Sequence, residues 1–265
     1  MRRIFLLIMF LAAASLYSQD TIRVMHYNLL FYGESTGFCN MNNNNPDQKD
    51  AWMRTILTYA RPDIVTVNEM SGNTTYHYRM LTQVMNQAGY ALFDMSHSPN
   101  LAGSGIVNLL YYNTGKLALQ SQEVAQSELR DIDVYRLFHK EEGIAGGDTI
   151  FLHCIVAHLK AGNSRSDEDK RELMTENTLN YLEMNGKAGN YLFMGDFNVY
   201  TDEEEAFQLM INNNDAMFRF YDPVSRIGEW HNDASYRDIH TQSTHTKSDT
   251  CNTTGSTSDR FDSLL

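Results

Sequence analysis

The chain has 265 residues, of which 42% are hydrophobic and 11% are aromatic. This length and composition are typical of a globular protein that buries a sizeable core, and they exclude a disordered chain. The formal net charge is −12 and no run rich in Lys and Arg occurs, which disfavours a protein that coats nucleic acid by non-specific attraction. A hydrolase that neutralises phosphate locally with a bound metal remains compatible with this charge.

The amino terminus has the pattern of a secretory signal peptide. Arg2 and Arg3 precede the apolar run 4–14, and small and polar residues follow as far as Gln19. Because the apolar run is short for a membrane span, a retained anchor is the weaker interpretation. We therefore expect residues 1–18 to be removed and the protein to be exported, to the periplasm or outside the cell, without a stable membrane anchor.

The chain has three cysteines. Cys154 lies in an apolar run and is expected to pack as a small core residue. Cys39 and Cys251 lie in polar stretches, and export would permit a disulfide between them. The sequence leaves open whether this disulfide forms.

The hydrophobic pattern then predicts strands and helices along the rest of the chain. The predicted strands are 21–30, 63–68, 105–112, 117–124, 133–139, 148–159 and 190–194. The predicted helices are 47–60, 74–87 and 167–184, the last with Ser166 as its expected cap. Because some strands neighbour one another and others alternate with helices, we predict one α+β or mixed α/β layered domain over 19–265.

The strand predicted at 190–194 runs into Gly195, which lets the backbone turn or approach a neighbouring group closely. An acidic cluster follows shortly afterwards. Thr201 and Glu204 fit a T-x-x-E capping box, and the acids of a first helical turn interact favourably with the helix dipole. We therefore interpret this cluster as the start of a helix and not as a metal site.

Polar or ionisable residues stand at the ends of the predicted strands, where a purely structural strand needs none. The first strand contains Asn28 near its end, the second runs into Glu69, and the long strand contains His158 near its end. Asp196 and Asn198 follow another strand. Because they are two residues apart, strand alternation would place their side chains on the same side of the chain. A turn is the simpler interpretation of G-D-x-N alone. Together, the five residues predict a cradle for a hard divalent cation and a phosphate oxygen.

Five segments in this chain resemble the endonuclease/exonuclease/phosphatase superfamily, which includes pancreatic-type deoxyribonucleases, base-repair endonucleases, neutral sphingomyelinases and inositol-polyphosphate 5-phosphatases. They occur in family order over nearly the whole mature chain. The resemblance implies a four-layered α/β sandwich, in which two mixed β-sheets pack face to face with helices outside. The segments are Y-N-L-L (27–30), P-D-I-V-T-V-N-E (62–69), A-H-L-K-A-G (157–162), G-D-F-N (195–198) and S-D-R-F-D (258–262).

The resemblance also implies a metal-dependent phosphoester hydrolase, with Mg²⁺, or else Mn²⁺ or Ca²⁺, as its cofactor. Asn28 and Glu69 resemble the metal-binding pair of the family. His158 resembles the histidine that contacts the scissile phosphate. Asp196 resembles the residue that orients or activates the attacking water, and Asn198 resembles the residue that positions phosphate and nucleophile.

Asp262 is similar to the family carboxylate that orients a second, catalytic histidine. In the family an Asp-His pair follows this segment, whereas this chain stops at Leu265. We therefore expect a C-terminally incomplete domain in which Asp262 has no evident partner, and loss of a general acid–base costs about 10²–10⁴-fold in rate. Arg136 and Lys160 match possible phosphate contacts, although a strand-surface arginine and a solvated lysine are the simpler interpretations.

The expected function is that of an exported, monomeric endonuclease-like enzyme that cleaves phosphodiester bonds, with nucleic acid as the expected substrate. One alternative is a sphingomyelinase-like or phosphomonoester-directed phosphatase. The other is a non-catalytic remnant that keeps the fold and the metal pocket. The sequence shows no membrane-inserting apolar hairpin, which disfavours a lipid substrate.

Overall fold

The computed structural model describes residues 21–140, 149–241, 251 and 259–265. The predicted signal peptide, residues 1–18, lies outside these residues. Within the described ranges, no helix is both long and apolar enough to cross a membrane.

The strands form a four-stranded and a five-stranded mixed β-sheet. The strands are Val24–Tyr32 (β1), Ile64–Ser71 (β2), Phe93–Met95 (β3), Ile106–Asn113 (β4), Leu117–Gln126 (β5), Ile132–His139 (β6), Phe151–His158 (β7), Asn190–Asp196 (β8) and Asp262–Leu264 (β9). The first sheet has the order β1-β2-β4-β3, with β1 and β2 parallel and the other neighbours antiparallel. The second has the order β5-β6-β7-β8-β9, with β7 and β8 parallel and the other neighbours antiparallel.

The α-helices lie on the outer faces of the two sheets. They are Pro46–Ala60 (α1), Thr74–Arg79 (α2), Arg165–Asn185 (α3) and Glu205–Ile211 (α4). In α1, Met53 and Leu57 pack against β2 of the first sheet, and in α3 Met174 and Leu179 pack in one core with Phe193 of β8. These contacts give four layers, namely helices, sheet, sheet and helices, as the family resemblance implies.

On the faces where the two sheets pack together, the side chains change from apolar to polar along the strands. Side chains alternate between the two faces of a strand, so each inward row contains every second residue. The inward rows begin with apolar residues that pack together, and each ends in polar ones. The rows are Val24, His26 and Asn28; Ile64, Thr66 and Asn68; Tyr112, Leu110 and Asn108; Cys154, Val156 and His158; and Leu192, Met194 and Asp196. The polar ends meet at one edge of the sandwich, and this edge carries the candidate site.

Two strands and the end of one helix differ from the sequence prediction. The short strands β3 and β9 were not predicted, because three residues are too few to show a period of two. The helix predicted over 74–87 is α-helical only as far as Arg79, and a π-helical segment, Met80–Val84, and a 3₁₀ turn, Met85–Gln87, continue it. Because α, π and 3₁₀ turns share similar residue preferences, the spacing predicts helix without predicting its type.

The cap of α3 is Ser164 and not the predicted Ser166. The Ser164 hydroxyl accepts a hydrogen bond from the Asp167 backbone N–H, and the Asp167 carboxylate accepts one from the Ser164 backbone N–H. This reciprocal pair is a capping box, and it satisfies two backbone donors at the end of the helix.

The predicted T-x-x-E cap at Thr201 is wrong, because α4 begins only at Glu205. The side chain of Glu204 makes no capping bond to the helix. Its carboxylate instead accepts hydrogen bonds from Arg171 Nε at 2.7 Å and from the Tyr200 backbone N–H at 2.8 Å. Since the Arg171 side chain is fully buried, it needs a charged partner, and this tertiary requirement outweighs the local capping pattern.

Cys39 and Cys251 form a disulfide across a sequence separation of 212 residues. The bond ties the polar loop between β1 and α1 to the segment that precedes β9. Cys154 is buried and unbonded to another cysteine, as its apolar surroundings predict.

Candidate active site

Three ionisable side chains from both sheets converge at the polar edge of the sandwich. Glu69 follows Asn68 near the end of β2, His158 ends β7 and Asp196 ends β8, and all three are buried. Their ligand atoms all lie within 4.8 Å of one another. His158 Nε2 is 3.8 Å from Glu69 Oε1 and 3.9 Å from Asp196 Oδ2. Such a group of oxygen and nitrogen donors could hold a metal ion.

Asn28 bridges the two carboxylates. Its amide nitrogen donates to Glu69 Oε1 at 2.9 Å and to Asp196 Oδ2 at 2.8 Å. Its amide oxygen accepts from the Leu30 backbone N–H at 2.8 Å, which fixes the orientation of the amide group. In this orientation Asn28 holds the carboxylates together with its nitrogen, whereas the sequence resemblance implies a metal ligand.

The backbone is strained where it carries these residues. Leu30, Phe31, Glu69 and Asn198 all have positive φ, between 49° and 57°. Non-glycine residues adopt this region rarely, and they cluster in it at functional sites. The register between β1 and β2 shifts between Asn28 and Tyr32, so β1 bulges there. The bulge brings the Phe31 backbone N–H to 3.0 Å from Glu69 Oε2.

Asp196 and Asn198 are held by backbone contacts. The Asp196 N–H donates to Asn68 Oδ1 at 2.7 Å, and Asp196 Oδ1 accepts from the Asn198 N–H at 3.1 Å. The Asn198 side chain donates to the Leu159 carbonyl at 3.3 Å. The structure therefore brings Asn28, Glu69, His158, Asp196 and Asn198 together, at the strand ends where the sequence places them.

Burial shapes the charges of the cluster. Burial, together with the neighbouring carboxylates of Asp262 and Glu69, raises the pKa of Asp196 well above its usual range. Burial also raises the pKa of Glu69, although the hydrogen bonds from Asn28 and Phe31 oppose the rise. Burial lowers the pKa of His158 well below its ordinary value, so its imidazole is neutral near pH 7.

Two cations lie close to these carboxylates, and sequence reasoning missed both. Arg130, in the connection between β5 and β6, donates to the carbonyls of His158 at 3.2 Å and Leu159 at 3.1 Å, and Glu69 and Asp196 act on it electrostatically. Lys49 lies in α1, and the Glu69 carboxylate attracts its ammonium group electrostatically. Burial nevertheless lowers the pKa of Lys49 to about 8. Neither residue follows a strand, so the pattern of polar strand ends does not include them.

The arginine and the lysine that the sequence offered as phosphate contacts have other roles. The Arg136 guanidinium lies over the Phe151 ring, 3.7 Å from its centroid. Lys160 Nζ is 2.7 Å from Asp167 Oδ1 at the start of α3. Both simpler interpretations are therefore supported, and Arg130 is the arginine beside the cluster.

Asp262 lies beside the cluster, because it pairs with Asp196 across the β8–β9 ladder. Its Oδ1 is 3.4 Å from Nε2 of His26, whose Nδ1 lies 3.0 Å from Thr66 Oγ1. Neither Asp262 Oδ1 nor His26 Nε2 makes a hydrogen bond among the described residues. His26 comes from β1, two residues before Asn28 and on the same face, and the sequence motifs do not point to it.

The donor set fits a hard divalent cation. Glu69 and Asp196 offer carboxylate oxygens, which Mg²⁺, Mn²⁺ and Ca²⁺ prefer, and His158 offers a neutral nitrogen. Two buried carboxylates this close to each other repel when both are ionised, and a cation between them removes that repulsion. His158 Nδ1 is buried without a hydrogen-bond partner among the described residues, which is unusual for a purely structural histidine.

No family model matches the sequence, and no curated protein matches it. Solved structures do match the fold. An endonuclease/exonuclease/phosphatase family protein from Bacteroides thetaiotaomicron superposes with a TM-score of 0.50 at 14% identity, over 72% of this chain and 66% of that one. D. rerio TDP2 complexed with a single-stranded DNA product gives 0.50 at 10% identity, over 92% and 82%. ANGEL2, a 2′,3′-cyclic phosphatase in complex with adenosine-2′,3′-vanadate, gives 0.50 at 14% identity, over 72% and 57%.

Likeness at these identities establishes the architecture. The chain has the fold of the endonuclease/exonuclease/phosphatase superfamily, a four-layered α/β sandwich, which confirms the fold that the resemblance of the motifs implies. The chain matches about two thirds of the length of the Bacteroides protein and 57% of the length of ANGEL2.

Proposed function

We propose that this protein is a divalent-metal-dependent phosphoester hydrolase that cleaves phosphodiester bonds in nucleic acid. The observation that carries the proposal is the buried group of Glu69, His158 and Asp196, whose ligand atoms lie within 4.8 Å of one another at the edge of the sandwich. Purely structural cores rarely bury two carboxylates and a histidine together, because each ionised group loses its hydration.

In this proposal Glu69 and Asp196 hold the cation, which we take to be Mg²⁺, with Mn²⁺ or Ca²⁺ as alternatives. When bound, such an ion offsets the negative charge of phosphate oxygens. Asp196 and Asn198 orient a water for in-line attack on phosphorus. As the new P–O bond forms, the Asp196 carboxylate accepts the proton of the water, and the leaving-group oxygen takes a proton from solvent as its bond to phosphorus breaks. His158 and the nearby guanidinium of Arg130 stabilise the charge that develops on the phosphate. Asp262, with His26, would act on this cluster through its charge beside Asp196.

Nucleic acid is the substrate that the proposal favours. Two of the structural neighbours were solved with nucleotide ligands, a single-stranded DNA product and adenosine-2′,3′-vanadate. The negative net charge of this chain argues against broad attachment to DNA and favours contact confined to the site. We further propose an exported monomer, on the basis of the leader pattern at residues 1–18 and of the Cys39–Cys251 disulfide, since such bonds persist in oxidising compartments.

The test is hydrolysis by the protein beginning at residue 19, with Mg²⁺ or with a chelator. The substrates are supercoiled plasmid, a phosphomonoester and sphingomyelin. The variants are Glu69→Gln, which removes a ligand charge, and Glu203→Gln, an exposed acid of the neighbouring acidic cluster that serves as the matched control. We expect Mg²⁺-dependent nicking by the wild type and by Glu203→Gln, and none by Glu69→Gln.

The other outcomes separate the alternatives. Turnover of the phosphomonoester or of sphingomyelin without nicking would keep the hydrolase and overturn the nucleic-acid substrate. Thermal stabilisation by Mg²⁺ without turnover of any substrate would indicate the non-catalytic remnant. Full activity in Glu69→Gln or in the chelator would contradict the proposed site.

A further inference from the structure

The bulge at the end of β1, Leu29 to Phe31, controls the orientation of two site residues. The Leu30 N–H donates to Asn28 Oδ1 at 2.8 Å, and the Phe31 N–H donates to Glu69 Oε2 at 3.0 Å. Both donors belong to residues with left-handed φ, 49° for Leu30 and 54° for Phe31. Non-glycine residues keep this conformation only where their surroundings enforce it.

Asn44, just before α1, and Lys49, within α1, stabilise the bulge in this conformation. Lys49 Nζ donates to the Leu29 carbonyl at 2.6 Å and also to the Leu30 carbonyl. Asn44, which is buried, donates through Nδ2 to the Leu30 carbonyl at 2.9 Å and to the Phe31 carbonyl at 3.0 Å. The three carbonyls of the bulge are therefore all bound from one side, and its N–H groups point to the site on the other.

The environment of Lys49 is unusual for a lysine. Its ammonium group is half-buried, yet within the part of the chain that the structure describes no carboxylate lies within salt-bridge distance of it. Its hydrogen bonds go to backbone carbonyls of the bulge. The Glu69 carboxylate attracts this ammonium group electrostatically. A lysine on a helix surface has no need of this arrangement, because solvent would hydrate it at no cost.

We propose that Lys49, together with Asn44, is a positioning residue for the cation site. Its ammonium group holds the carbonyls of the bulge so that the N–H groups of Leu30 and Phe31 keep Asn28 and Glu69 in their binding orientation. This positioning role rests on the proposed function in one respect, because that function assigns Glu69 as a ligand of the cation. Side chains that orient metal ligands from behind typically change metal affinity when they are removed.

The test compares Lys49→Met with Lys116→Met. Lys116 is the control, because its Nζ also donates to a backbone carbonyl, that of Thr21 at 2.8 Å, but at the opposite end of the first sheet, where it also pairs with Asp63 at 3.2 Å. Two quantities are measured: Mn²⁺ affinity by calorimetry, and hydrogen exchange of the Leu30 and Phe31 amides by NMR without metal. We expect Lys49→Met to lose amide protection and to bind Mn²⁺ about 10- to 100-fold more weakly, whereas Lys116→Met changes neither. Lys49→Arg, which keeps N–H donors, should recover part of both.

The amide measurement separates this inference from the proposed function. Leu30 and Phe31 amides that stay as protected in Lys49→Met as in Lys116→Met would overturn the positioning role. A wild-type protein that binds no Mn²⁺ and hydrolyses no phosphoester would overturn the proposed function, and loss of protection in Lys49→Met would then still support the role of Lys49 in holding the bulge. If Lys49→Met does not fold, Asn44→Leu removes the other pair of hydrogen bonds and is judged by the same two measurements.

Discussion

When no cation is bound, the carboxyl groups of the candidate site bind protons more readily than ordinary carboxyl groups do. Asp196 is buried beside the carboxylates of Asp262 and Glu69, and its pKa is well above the usual range. The pKa of Glu69 is raised as well, chiefly by burial. A cation that binds between these groups must therefore displace protons, because metal ions bind the ionised carboxylate.

This competition predicts that Mn²⁺ binding releases protons and tightens as the pH rises through the raised pKa values of these carboxyl groups. The sign follows from the raised pKa values: at low pH the protonated form of Asp196 excludes the ion, and at high pH the carboxylate is ionised before the ion arrives. Calorimetry in buffers with different ionisation enthalpies measures the number of protons released. An affinity that does not change with pH would show that these carboxylates are not the ligands.

Single residues of the site could be predicted to different degrees. Asn28, Glu69, His158, Asp196 and Asn198 lie near the ends of predicted strands, and since strand ends gather at one edge of a sandwich, their proximity could be predicted from position alone. Their roles in chemistry stay predictions, as does the role of Asp262.

Other neighbours of the site could not be predicted in this way. Arg130 lies in a connection, Lys49 lies on a helix and His26 lies inside β1, two residues before a residue that was identified. Which connection or helix covers a given strand end is decided by tertiary packing, and the pattern along one strand contains no information about it. The pairing of His26 with Asp262 joins strands of different sheets for the same reason.

At the scale of elements, the backbone of β8 near its end approaches the parallel strand β7 closely. Gly195 has φ 150°, and a Cβ atom there would lie 1.9 Å from the Ala157 carbonyl oxygen of the parallel strand β7. The sequence indicates that Gly195 could permit such an approach. The contact lets β8 run close enough to β7 for His158 and Asp196 to stand opposite each other in the ladder.

We therefore expect Gly195→Ala to lower the free energy of unfolding by more than about 2 kcal/mol, because the added methyl group meets backbone and not a movable side chain. Gly37→Ala is the control, since nothing lies within 4 Å of a Cβ placed there. Urea unfolding followed by circular dichroism measures both. Equal stability of the two variants would contradict this account of the β7–β8 contact.

The error at α4 shows how a local pattern can mislead. The T-x-x-E spacing matches a capping box, so the sequence favours a helix start at Thr201. Glu204 is needed elsewhere, as the partner of the buried Arg171, whose guanidinium also donates to the carbonyls of Lys160 and Gly162. Since Lys160 follows β7 by two residues, this ion pair anchors the chain just beyond His158.

Across the whole molecule, the interface between the sheets contains a further buried carboxylate, besides those of the site. Asp133 of β6 is 1% exposed, and burial together with the neighbouring Asp131 raises the pKa of Asp133 to about 7. Asn108 lies beside it, with Nδ2 at 3.4 Å from Asp133 Oδ2, and Asn108 Oδ1 accepts from Asn68 at 2.6 Å. Through Asn68 this polar row reaches the backbone of Asp196, so the interior of the sandwich and the site form one hydrogen-bonded system.

The pKa of Asp133 makes the stability of the whole fold depend on pH. A carboxyl group whose pKa is raised by folding stabilises the protein fully below its unfolded value, near 4, and this contribution is lost as the pH rises through about 7. We expect Asp133→Asn, which cannot ionise, to remove a loss of up to about 4 kcal/mol between these limits. Urea unfolding at several pH values measures the difference from the wild type. The exposed Asp169→Asn is the control, and a variant Asp133→Asn whose pH dependence matches the wild type would contradict the prediction.

The claim on which the whole account depends is that carboxylates from the two opposed sheets hold one divalent cation. The most direct measurement is a calorimetric titration of Mn²⁺ into the wild type, Glu69→Gln and Glu203→Gln at one pH. The account predicts one binding event at this site in the wild type and in Glu203→Gln, and its loss in Glu69→Gln. Undiminished binding in Glu69→Gln, or no binding by the wild type, would contradict it.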